Sequence, residues 1–345
     1  MIHEALEKIA RGEDLSRAEA EATMEQILAG SASNAQIVAL LTGLRANGET
    51  VDELVGFAKA MRRHATPIFP SDHPHIKEAL VDTCGTGGDS SGTFNVSTAA
   101  AIVVAGAGVR VAKHGNRSIS SRCGSADVLE ELGVRIDLPP ERVARSIEEV
   151  GIGFLFAPAV HAATRHATAA RRELKTRTVF NLLGPLTNPA GASAQVVGVY
   201  DASVTKLMAR ALGELGVSRA FVVHGADGLD EISISGETHV AELRDGVVRT
   251  FTVMPEDFGL RSSPLEAIRG GEAKQNAEII HKILGKSLHS DHGPCREIVL
   301  ANAAAALVAA GCAHDFLDGM RLAARSIDSG AARERLDAFV AFSQI

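Results

Sequence analysis

The sequence predicts an α/β protein in which a small all-helical domain precedes a large domain with a mainly parallel central sheet. Three observations predict this class. Residues 1–70 carry apolar side chains at helical spacing. From about residue 75, short apolar runs alternate with helical segments, which is typical of βαβ units. Between the two, TPIFPSDHP at 66–74 holds prolines that cannot continue a helix. We therefore expect a helical domain over 1–70 and an α/β domain over 75–345, with the helices of about 160–185 packing on the first.

The helices of the first domain are predicted from periodicity and end signals. Apolar residues recur at i, i+3, i+4 and i+7 in two segments: Ile37, Leu40, Leu41 and Leu44, and then Leu54, Phe57, Ala58 and Met61. Thr50 and Glu53 form a capping box at the start of the second segment. Gly12, Gly30 and Gly48 stand where helix ends are expected.

The strands of the second domain are predicted from short apolar runs between turn residues. These are ALVD (79–82), VRVAKHG (109–115), GFLFA (153–157), AQVVGVY (194–200) and AFVVHG (220–225). Helical patterns lie between them, at VSTAAAIVVAGAG, SADVLEELG and KLMARALGELG. AELRDGVVRTFTV predicts a hairpin with Asp245-Gly246 as its turn. The Ala-rich run IVLANAAAALVAAG predicts a buried helix against the sheet.

Composition excludes several classes of protein. The formal net charge of −7 disfavours a general nucleic-acid binder, which concentrates Lys and Arg against phosphate. We expect no membrane span and no signal peptide, since long uncharged apolar runs are absent and the N-terminus is acidic and amphipathic. The four cysteines are scattered without a CxxC pair, which indicates neither a zinc site nor a disulfide framework. A cytoplasmic protein is expected.

The most informative stretch is VDTCGTGGDSSGTFNVST, residues 81–98. We expect a strand to end at Val81 and a helix to begin within 95–98. A strand, a glycine-rich turn and a helix N-terminus together form an anion site, because bare backbone lets N–H groups approach phosphate oxygens. The stretch contains neither a Walker A motif nor a Gly-x-Gly-x-x-Gly motif, which disfavours generic ATPases and dehydrogenases.

Two further loops follow predicted strands. KHGNRSISSRCGSAD, residues 113–127, combines Lys, Arg and serines ahead of a helix for which Ser125 is the predicted cap. ADGLDEIS places Asp230 and Glu231 side by side, a common arrangement for Mg²⁺ bound by carboxylates together with substrate phosphates. The carboxyl ends of neighbouring strands share one crevice, so we expect all three loops to face a single ligand with several phosphates.

These loops, in this order, resemble the anthranilate phosphoribosyltransferase family over nearly the whole chain. The resemblance rests on CGTGGD (84–89), FNVST (94–98), KHGNRSISS (113–121), RTVFNLLGPLTNPA (177–190) and HGADGLDE (224–231). It implies a nucleoside phosphorylase and phosphoribosyltransferase type of fold. It also implies an enzyme that transfers phosphoribosyl from phosphoribosyl pyrophosphate (PRPP) to anthranilate in tryptophan synthesis, and a homodimer formed through the helical domain.

The resemblance also assigns the site residue by residue. PRPP would be bound by Gly85, Gly88, Asp89, Thr93, Asn95, Val96, Ser97, Thr98, Lys113, His114, Gly115, Asn116, Arg117, Ser118, Ile119, Ser120, Ser121 and Ser125. Two Mg²⁺ ions per subunit would use Ser97, Asp230 and Glu231, with Glu231 shared. Anthranilate would lie near Gly85 and Asn116, with Arg171 facing its carboxylate; from its sequence context alone, Arg171 belongs to a solvated basic helix.

The chain departs from the family pattern at two positions near the acceptor. Ala162 follows His161 where the family often has Pro, and Lys175 follows Arg-Glu-Leu where the family often has Gly. No catalytic nucleophile or base is expected, because the arylamine is already neutral at pH 7; Lys113 and Asp89 have supporting roles. Three alternatives stay open: a pyrimidine nucleoside phosphorylase of the same fold, a phosphoribosyltransferase of the commoner type, and a non-catalytic phosphate-binding protein.

Overall fold

The N-terminal part of the chain is a bundle of four helices. A computed structural model describes residues 1–70, 78–88, 91–118, 122–285 and 293–345. The bundle consists of α1 (Ile2–Ala10), α2 (Arg17–Leu28), α3 (Asn34–Asn47) and α4 (Val51–His64). The capping box of Thr50 and Glu53 is present, and Gly12, Gly30 and Gly48 take positive φ at helix ends, so these predictions are confirmed.

A seven-stranded sheet forms the centre of the larger part, within the residues described. Its strands are β1 (Leu80–Gly85), β2 (Arg110–Gly115), β3 (Ile152–Phe156), β4 (Ala194–Gly198), β5 (Arg219–Gly225), β6 (Thr238–Arg244) and β7 (Val247–Val253). The spatial order is β3-β2-β1-β4-β5-β6-β7. The strands β1 to β5 are parallel, and β6 and β7 add antiparallel at one edge. The predicted fold class is therefore correct.

The strand order places a ligand crevice at β1 and β4. The chain moves outward from β1 through β2 to β3 and then returns to the other side of β1 with β4 and β5. In parallel sheets the carboxyl ends of strands at such a reversal leave an open crevice. All loops with predicted function follow the carboxyl ends of β1, β2 and β5.

Helices cover both faces of the sheet. They are α5 (Val96–Gly106), α6 (Ser125–Glu131), α7 (Pro140–Arg145), α8 (Ala157–Val160), α9 (Thr168–Leu174), α10 (Val179–Leu186), α11 (Thr205–Glu214), α12 (Ala273–Ile283), α13 (Pro294–Ala309), α14 (Phe316–Asp328) and α15 (Ala331–Gln344). The Ala-rich α13 is buried against α5 and α14, as predicted. Gly319 permits this packing, because a Cβ there would lie 2.7 Å from the Ala304 carbonyl oxygen. No helix in the described ranges has the length and apolar character to cross a bilayer.

The helical bundle shares a core with part of the larger unit. Helices α9 and α10 pack on α3 and α4, and one apolar cluster runs from Leu54 and Phe57 through Leu183 to Met208. The Arg62 guanidinium crosses between the two parts and donates to the carbonyl oxygens of Leu186 and Leu215, each at 2.8 Å. The division of the chain near residues 70–75 stays a prediction, since 71–77 lie outside the described residues.

The β6–β7 hairpin has the predicted two-residue turn. Asp245 has φ 51° and Gly246 has φ 77°. Two consecutive left-handed residues define a type I′ turn, whose twist matches that of the strands it joins. The hairpin prediction is confirmed.

Two local predictions were wrong. Strand β1 does not end at Val81 but continues to Gly85, because each residue from Val81 to Gly85 pairs with β4, up to Gly85 opposite Gly198. Ser125 is the first residue of α6 rather than its cap; the cap position is Gly124. Asp127 closes this helix end instead, because its Oδ2 accepts from the backbone N–H of Gly124 at 2.8 Å.

Candidate active site

The glycine-rich loop and the acidic loop meet at the carboxyl ends of β1 and β4. Gly85 and Gly198 face each other there, and the chain passes over them at Asp230. A Cβ on Gly198 would lie 1.5 Å from the Asp230 carbonyl oxygen, and one on Gly85 would lie 3.0 Å from Asp230 Oδ2. Neither strand end could therefore carry a side chain without moving the acidic loop.

The two acidic side chains bind backbone N–H groups of the first loop. Asp230 Oδ2 accepts from the Gly87 N–H at 3.1 Å, and Glu231 Oε1 accepts from the Ser97 N–H at 3.0 Å. Ser97 is the second residue of α5, so Glu231 lies at the positive end of this helix. The structure thus brings together three residues proposed from the sequence as metal ligands: Ser97, Asp230 and Glu231.

These oxygens suit a hard divalent cation. Mg²⁺ prefers oxygen ligands and is commonly held by one or two carboxylates, while water and substrate phosphates complete its coordination. The described parts of the chain contain no cluster of three or more His, Cys, Asp or Glu side chains that could hold a metal ion, so Asp230, Glu231 and Ser97 would supply only part of its coordination. The donor set therefore fits a cation that arrives with a phosphorylated substrate.

Lys113 lies buried beneath the same point. Its ammonium group donates to the Thr83 carbonyl oxygen and lies 3.3 Å from Ser97 Oγ, and only 3% of the residue is exposed. Burial lowers the pKa of Lys113, and the nearby carboxylates, Asp82 foremost, oppose this shift. The cation is thus held at the base of the crevice, next to the α5 N-terminus.

Asp82 and Asn188 form a buried polar cluster under Lys113 that the sequence analysis did not single out. Asp82 is fully buried; it accepts from the His114 N–H at 3.1 Å and from Asn188 Nδ2 at 2.7 Å. Burial raises the pKa of Asp82, while the charge of Lys113 opposes the change. A carboxylate in the apolar run ALVDTCG is the one signal that could have indicated this cluster.

Two buried imidazoles lie beside this cluster. His114 and His161 make an edge-on contact with ring centroids 5.1 Å apart. His114 Nδ1 lies 3.2 Å from the Gly184 carbonyl oxygen, whereas its Nε2 and both nitrogens of His161 have no hydrogen-bond partner among the described residues. Burial lowers the pKa of His114 to about 3 and that of His161 to about 4. Both rings are therefore neutral at physiological pH.

The loop after β2 approaches the crevice only in part. Gly115 lies against the first turn of α6, where a Cβ would meet Ser125 Oγ at 2.1 Å. Arg117 points away to α6; its guanidinium pairs with Glu130 at 2.5 Å and Asp127 at 3.0 Å. Ser118 donates its N–H to Asp127 Oδ2 at 3.0 Å. The guanidinium of Arg117 therefore anchors the loop to α6 rather than facing the crevice.

The residues at the start of α5 divide into accessible and buried ones. Asn95 is the N-cap residue; its amide donates to the Cys123 carbonyl oxygen at 3.2 Å. Val96 and Thr98 are each 1% exposed, and the Thr98 hydroxyl has no partner in the described chain. Thr93 forms an isolated bridge with Arg269. The side chains of Val96 and Thr98 are therefore buried, and their contact with the substrate stays a prediction.

Some predicted residues can be placed only partly. Asp89, Ile119, Ser120 and Ser121 lie outside the described residues. Asn116 lies in the loop that follows β2, its carbonyl oxygen 3.3 Å from Ser125 Oγ. Gly88 has φ +82° at the end of the described glycine-rich segment.

Arg171 lies in the last turn of α9, the helix that packs on α3 of the bundle. Its guanidinium stacks over the Phe180 ring at 5.2 Å. Burial lowers the pKa of Arg171. Among the described residues, no carboxylate pairs with this cation. A half-buried, charged guanidinium with unused donors is suited to a planar carboxylate on a ligand.

The comparisons with known proteins agree with this site. The helical bundle domain of the glycosyl transferase family matches residues 3–65, and its a/b domain matches residues 77–333. Fold and family models thus define a member of the glycosyl transferase family.

Relatives that are similar over nearly the whole chain identify one family within the glycosyl transferases. Anthranilate phosphoribosyltransferase of Moorella thermoacetica is 54% identical over 99% of this chain and 98% of its own. The crystal structure of the Thermus thermophilus enzyme is 44% identical, covers 99% of both chains and has a TM-score of 0.91. The chain belongs to the anthranilate phosphoribosyltransferase family.

A more distant relative has been solved with ligands. The Saccharomyces cerevisiae enzyme in complex with PRPP and Mg is 28% identical, covers 99% of this chain and 98% of its own, and has a TM-score of 0.88. The same yeast enzyme has been solved with 4-fluoroanthranilate, at 28% identity, the same coverage and a TM-score of 0.85.

Proposed function

We propose that this protein transfers the phosphoribosyl group of PRPP to the amine of anthranilate. The products are N-(5-phosphoribosyl)anthranilate and pyrophosphate, and the reaction is the second step of tryptophan synthesis from chorismate. The observation that carries the proposal is the meeting of the glycine-rich loop, the α5 N-terminus, Lys113 and the pair Asp230–Glu231 at one sheet edge. This arrangement combines backbone donors, a fixed cation and metal-type oxygens around one anionic ligand.

The donor side would hold the pyrophosphate end of PRPP. Backbone N–H groups of the glycine-rich loop are the donors we propose for it, because glycine has no side chain of its own to keep a phosphate oxygen away; the Gly87 N–H, which binds Asp230 Oδ2 in this structure, is one of them. We assign Ser97, Asp230 and Glu231 to Mg²⁺, with two ions per subunit. When bound, the metal offsets the charge that develops on the departing pyrophosphate. The loop after β2, including Asn116 and the residues up to Ser121, would hold the phosphoribosyl part.

The acceptor side would hold anthranilate between α9 and the strand ends. Arg171 would pair with the carboxylate, since its guanidinium is half-buried and already oriented by Phe180. Gly85 and Asn116 would lie near the ring. A carboxylate fixed in this way leaves the neighbouring amine free to face the donor.

The chemical step is displacement of pyrophosphate from C1 of the ribose through an oxocarbenium-like transition state. The amine of anthranilate is neutral at pH 7, so attack needs no strong base. The protein would supply alignment of the two substrates and a fixed field for the leaving group. His114 and His161 are held neutral by burial and so add no positive charge next to the developing cation.

We also propose a homodimer formed through the helical bundle and a cytoplasmic location. None of the four cysteines forms a disulfide in the described chain, which is compatible with a reducing compartment. Sedimentation of the purified protein tests the dimer, and a monomer at micromolar concentration would contradict it.

A fluorescence assay tests the function. Protein with Mg²⁺ and PRPP should consume the fluorescence of anthranilate, and a folded protein that leaves the signal unchanged would refute the proposal. Arg171→Gln should raise the KM for anthranilate about tenfold or more, the value of one charge-assisted hydrogen bond, with little change in the KM for PRPP. Exposed Arg172→Gln on the same helix is the matched control.

A further inference from the structure

We propose that Arg177 is a positioning residue for the pyrophosphate loop, acting through the carbonyl group of Gly88. Arg177 lies between α9 and α10, and its Nη2 donates to the Gly88 carbonyl oxygen. Its guanidinium also lies over the Tyr200 ring, 4.5 Å from the centroid. The proposal rests on the donor site proposed above.

The glycine-rich loop depends on contacts from its surroundings. Gly87 and Gly88 both have positive φ, at 63° and 82°, and have no side chains that could hold them in place. The first part of the loop is fixed by β4, because the Thr86 N–H donates to the Gly198 carbonyl oxygen at 2.9 Å. The Tyr200 N–H adds a bond to Thr86 Oγ1 at 3.2 Å.

Two described contacts tie the far part of the loop to residues outside it. The Gly87 N–H binds Asp230 Oδ2 at 3.1 Å, and the Gly88 carbonyl oxygen binds Arg177. Asp230 is assigned to Mg²⁺, so its oxygens are needed elsewhere once the substrate is bound. The contact with Arg177 uses no atom of the proposed metal site and can persist throughout the reaction.

Arg177 is itself held on the side away from the loop. Stacking on Tyr200 orients the plane of the guanidinium. The preceding residue, Thr176, accepts a hydrogen bond from Arg45 of the helical bundle. Among the residues described, no carboxylate forms a direct ion pair with Arg177, and Asp201 interacts with its charge only at longer range, so this charge can favour a polyanion nearby.

The position of Arg177 links the two substrate sites. It lies six residues after Arg171 and three before Phe180, within the segment that forms the acceptor side. Its hydrogen bond ends on the donor loop. A single residue therefore sets the distance between the acceptor segment and the pyrophosphate cradle.

Steady-state kinetics with matched variants tests this role. Arg177→Gln should raise the KM for PRPP about tenfold, the lower end of the range for a charge-assisted hydrogen bond because the side chain is exposed. The KM for anthranilate should change less than about twofold. Tyr200→Leu, which removes only the stacking, should raise the KM for PRPP by about two- to fivefold. Arg172→Gln, an exposed Arg of α9, is the control and should match the wild type.

The results separate this inference from the assigned reaction. Inactive wild-type protein would refute the function, whereas active wild type with an unchanged KM for PRPP in Arg177→Gln would overturn the role of Arg177 alone. An equal rise of both KM values would also overturn it, because general loosening of the fold affects both substrates. If Arg177→Gln does not fold, Arg177→Lys is measured instead. It keeps the charge and one donor, and a selective but smaller rise in the KM for PRPP is expected.

Discussion

Acidification should destabilise the native protein through the buried pair His114 and His161. In an unfolded chain both imidazoles have a pKa near 6.5, whereas in the fold burial lowers these values to about 3 and about 4. Below pH 6.5 the unfolded state therefore binds more protons than the native state. The stabilisation is fully present above the unfolded pKa and is lost as the pH falls through 6.5 toward the native values.

The magnitude follows from the distance to the unfolded pKa. A pH of about 5 lies 1.5 units below the unfolded pKa of 6.5. At about 1.36 kcal/mol per unit, each ring lowers the free energy of unfolding by about 2 kcal/mol. Together the two rings lower the free energy of unfolding by about 4 kcal/mol when the pH falls from about 7.5 to about 5. This sum depends little on the exact native values, because both lie below pH 5.

His161→Phe isolates one half of this effect. Neither nitrogen of His161 has a partner at ordinary hydrogen-bond geometry in the described chain, so an apolar ring loses at most a weak contact with the Thr187 backbone. Urea unfolding at both pH values, at one protein concentration, gives the loss of free energy of unfolding. His161→Phe should lose about 2 kcal/mol less than the wild type, because one titrating group is gone.

A second variant controls for the change in histidine count. His239 on β6, whose side chain is 42% exposed and lies 3.6 Å from Glu237, supplies this control as His239→Gln, which removes one histidine outside the buried pair. An equal loss in His161→Phe and wild type would refute the reasoning, since it would mean that His161 titrates alike in both states.

Three other substitutions test the site and the local backbone. Gly198→Ala should destabilise the protein by about 3 kcal/mol and reduce kcat/KM, because the new Cβ would lie 1.5 Å from the Asp230 carbonyl oxygen. Gly236→Ala is the control, since a Cβ there has open space around it. Equal urea midpoints for the two variants would contradict the expectation. Lys175→Gly should stabilise by about 0.5 kcal/mol in the same assay, because Lys175 has φ 47° and a Cβ is disfavoured there; Lys175→Ala, which keeps the Cβ, should give no gain. Thr98→Val should be neutral or stabilising by up to about 1 kcal/mol, since the buried hydroxyl has no partner in the described chain, and a raised KM for PRPP would show instead that this side chain contacts the substrate.

The departure at Lys175 shows how a sequence difference acquires a physical meaning. The sequence marks this position only as a Lys where the family often has Gly. In the structure Lys175 ends α9 in the left-handed conformation. That conformation costs a residue with a Cβ about 1 kcal/mol, which explains why Gly is the common choice.

The side chain of Arg117 shows what the sequence leaves open. A basic residue in a serine-rich loop next to a phosphate site is a reasonable candidate for binding substrate. In the structure its guanidinium pairs with Asp127 and Glu130, which follow it by ten and thirteen residues, while a contact of Arg117 with the substrate stays a prediction. Which of two possible partners an Arg chooses depends on the direction of the backbone, and local sequence does not specify that direction.

Local sequence determined the elements and the chemistry of the loops. Periodicity predicted the bundle helices, and capping residues predicted where they end. Asp245-Gly246 predicted the hairpin turn. Each of these signals acts over only a few residues. Glycine content and the adjacent carboxylates indicated a phosphate and metal site for the same reason. Only the tertiary structure decided that β1 runs on to Gly85, that Asp82, Lys113 and Asn188 share one buried cluster, and that Arg177 holds Gly88. Each of these depends on groups that are distant in sequence and meet only when the sheet has formed.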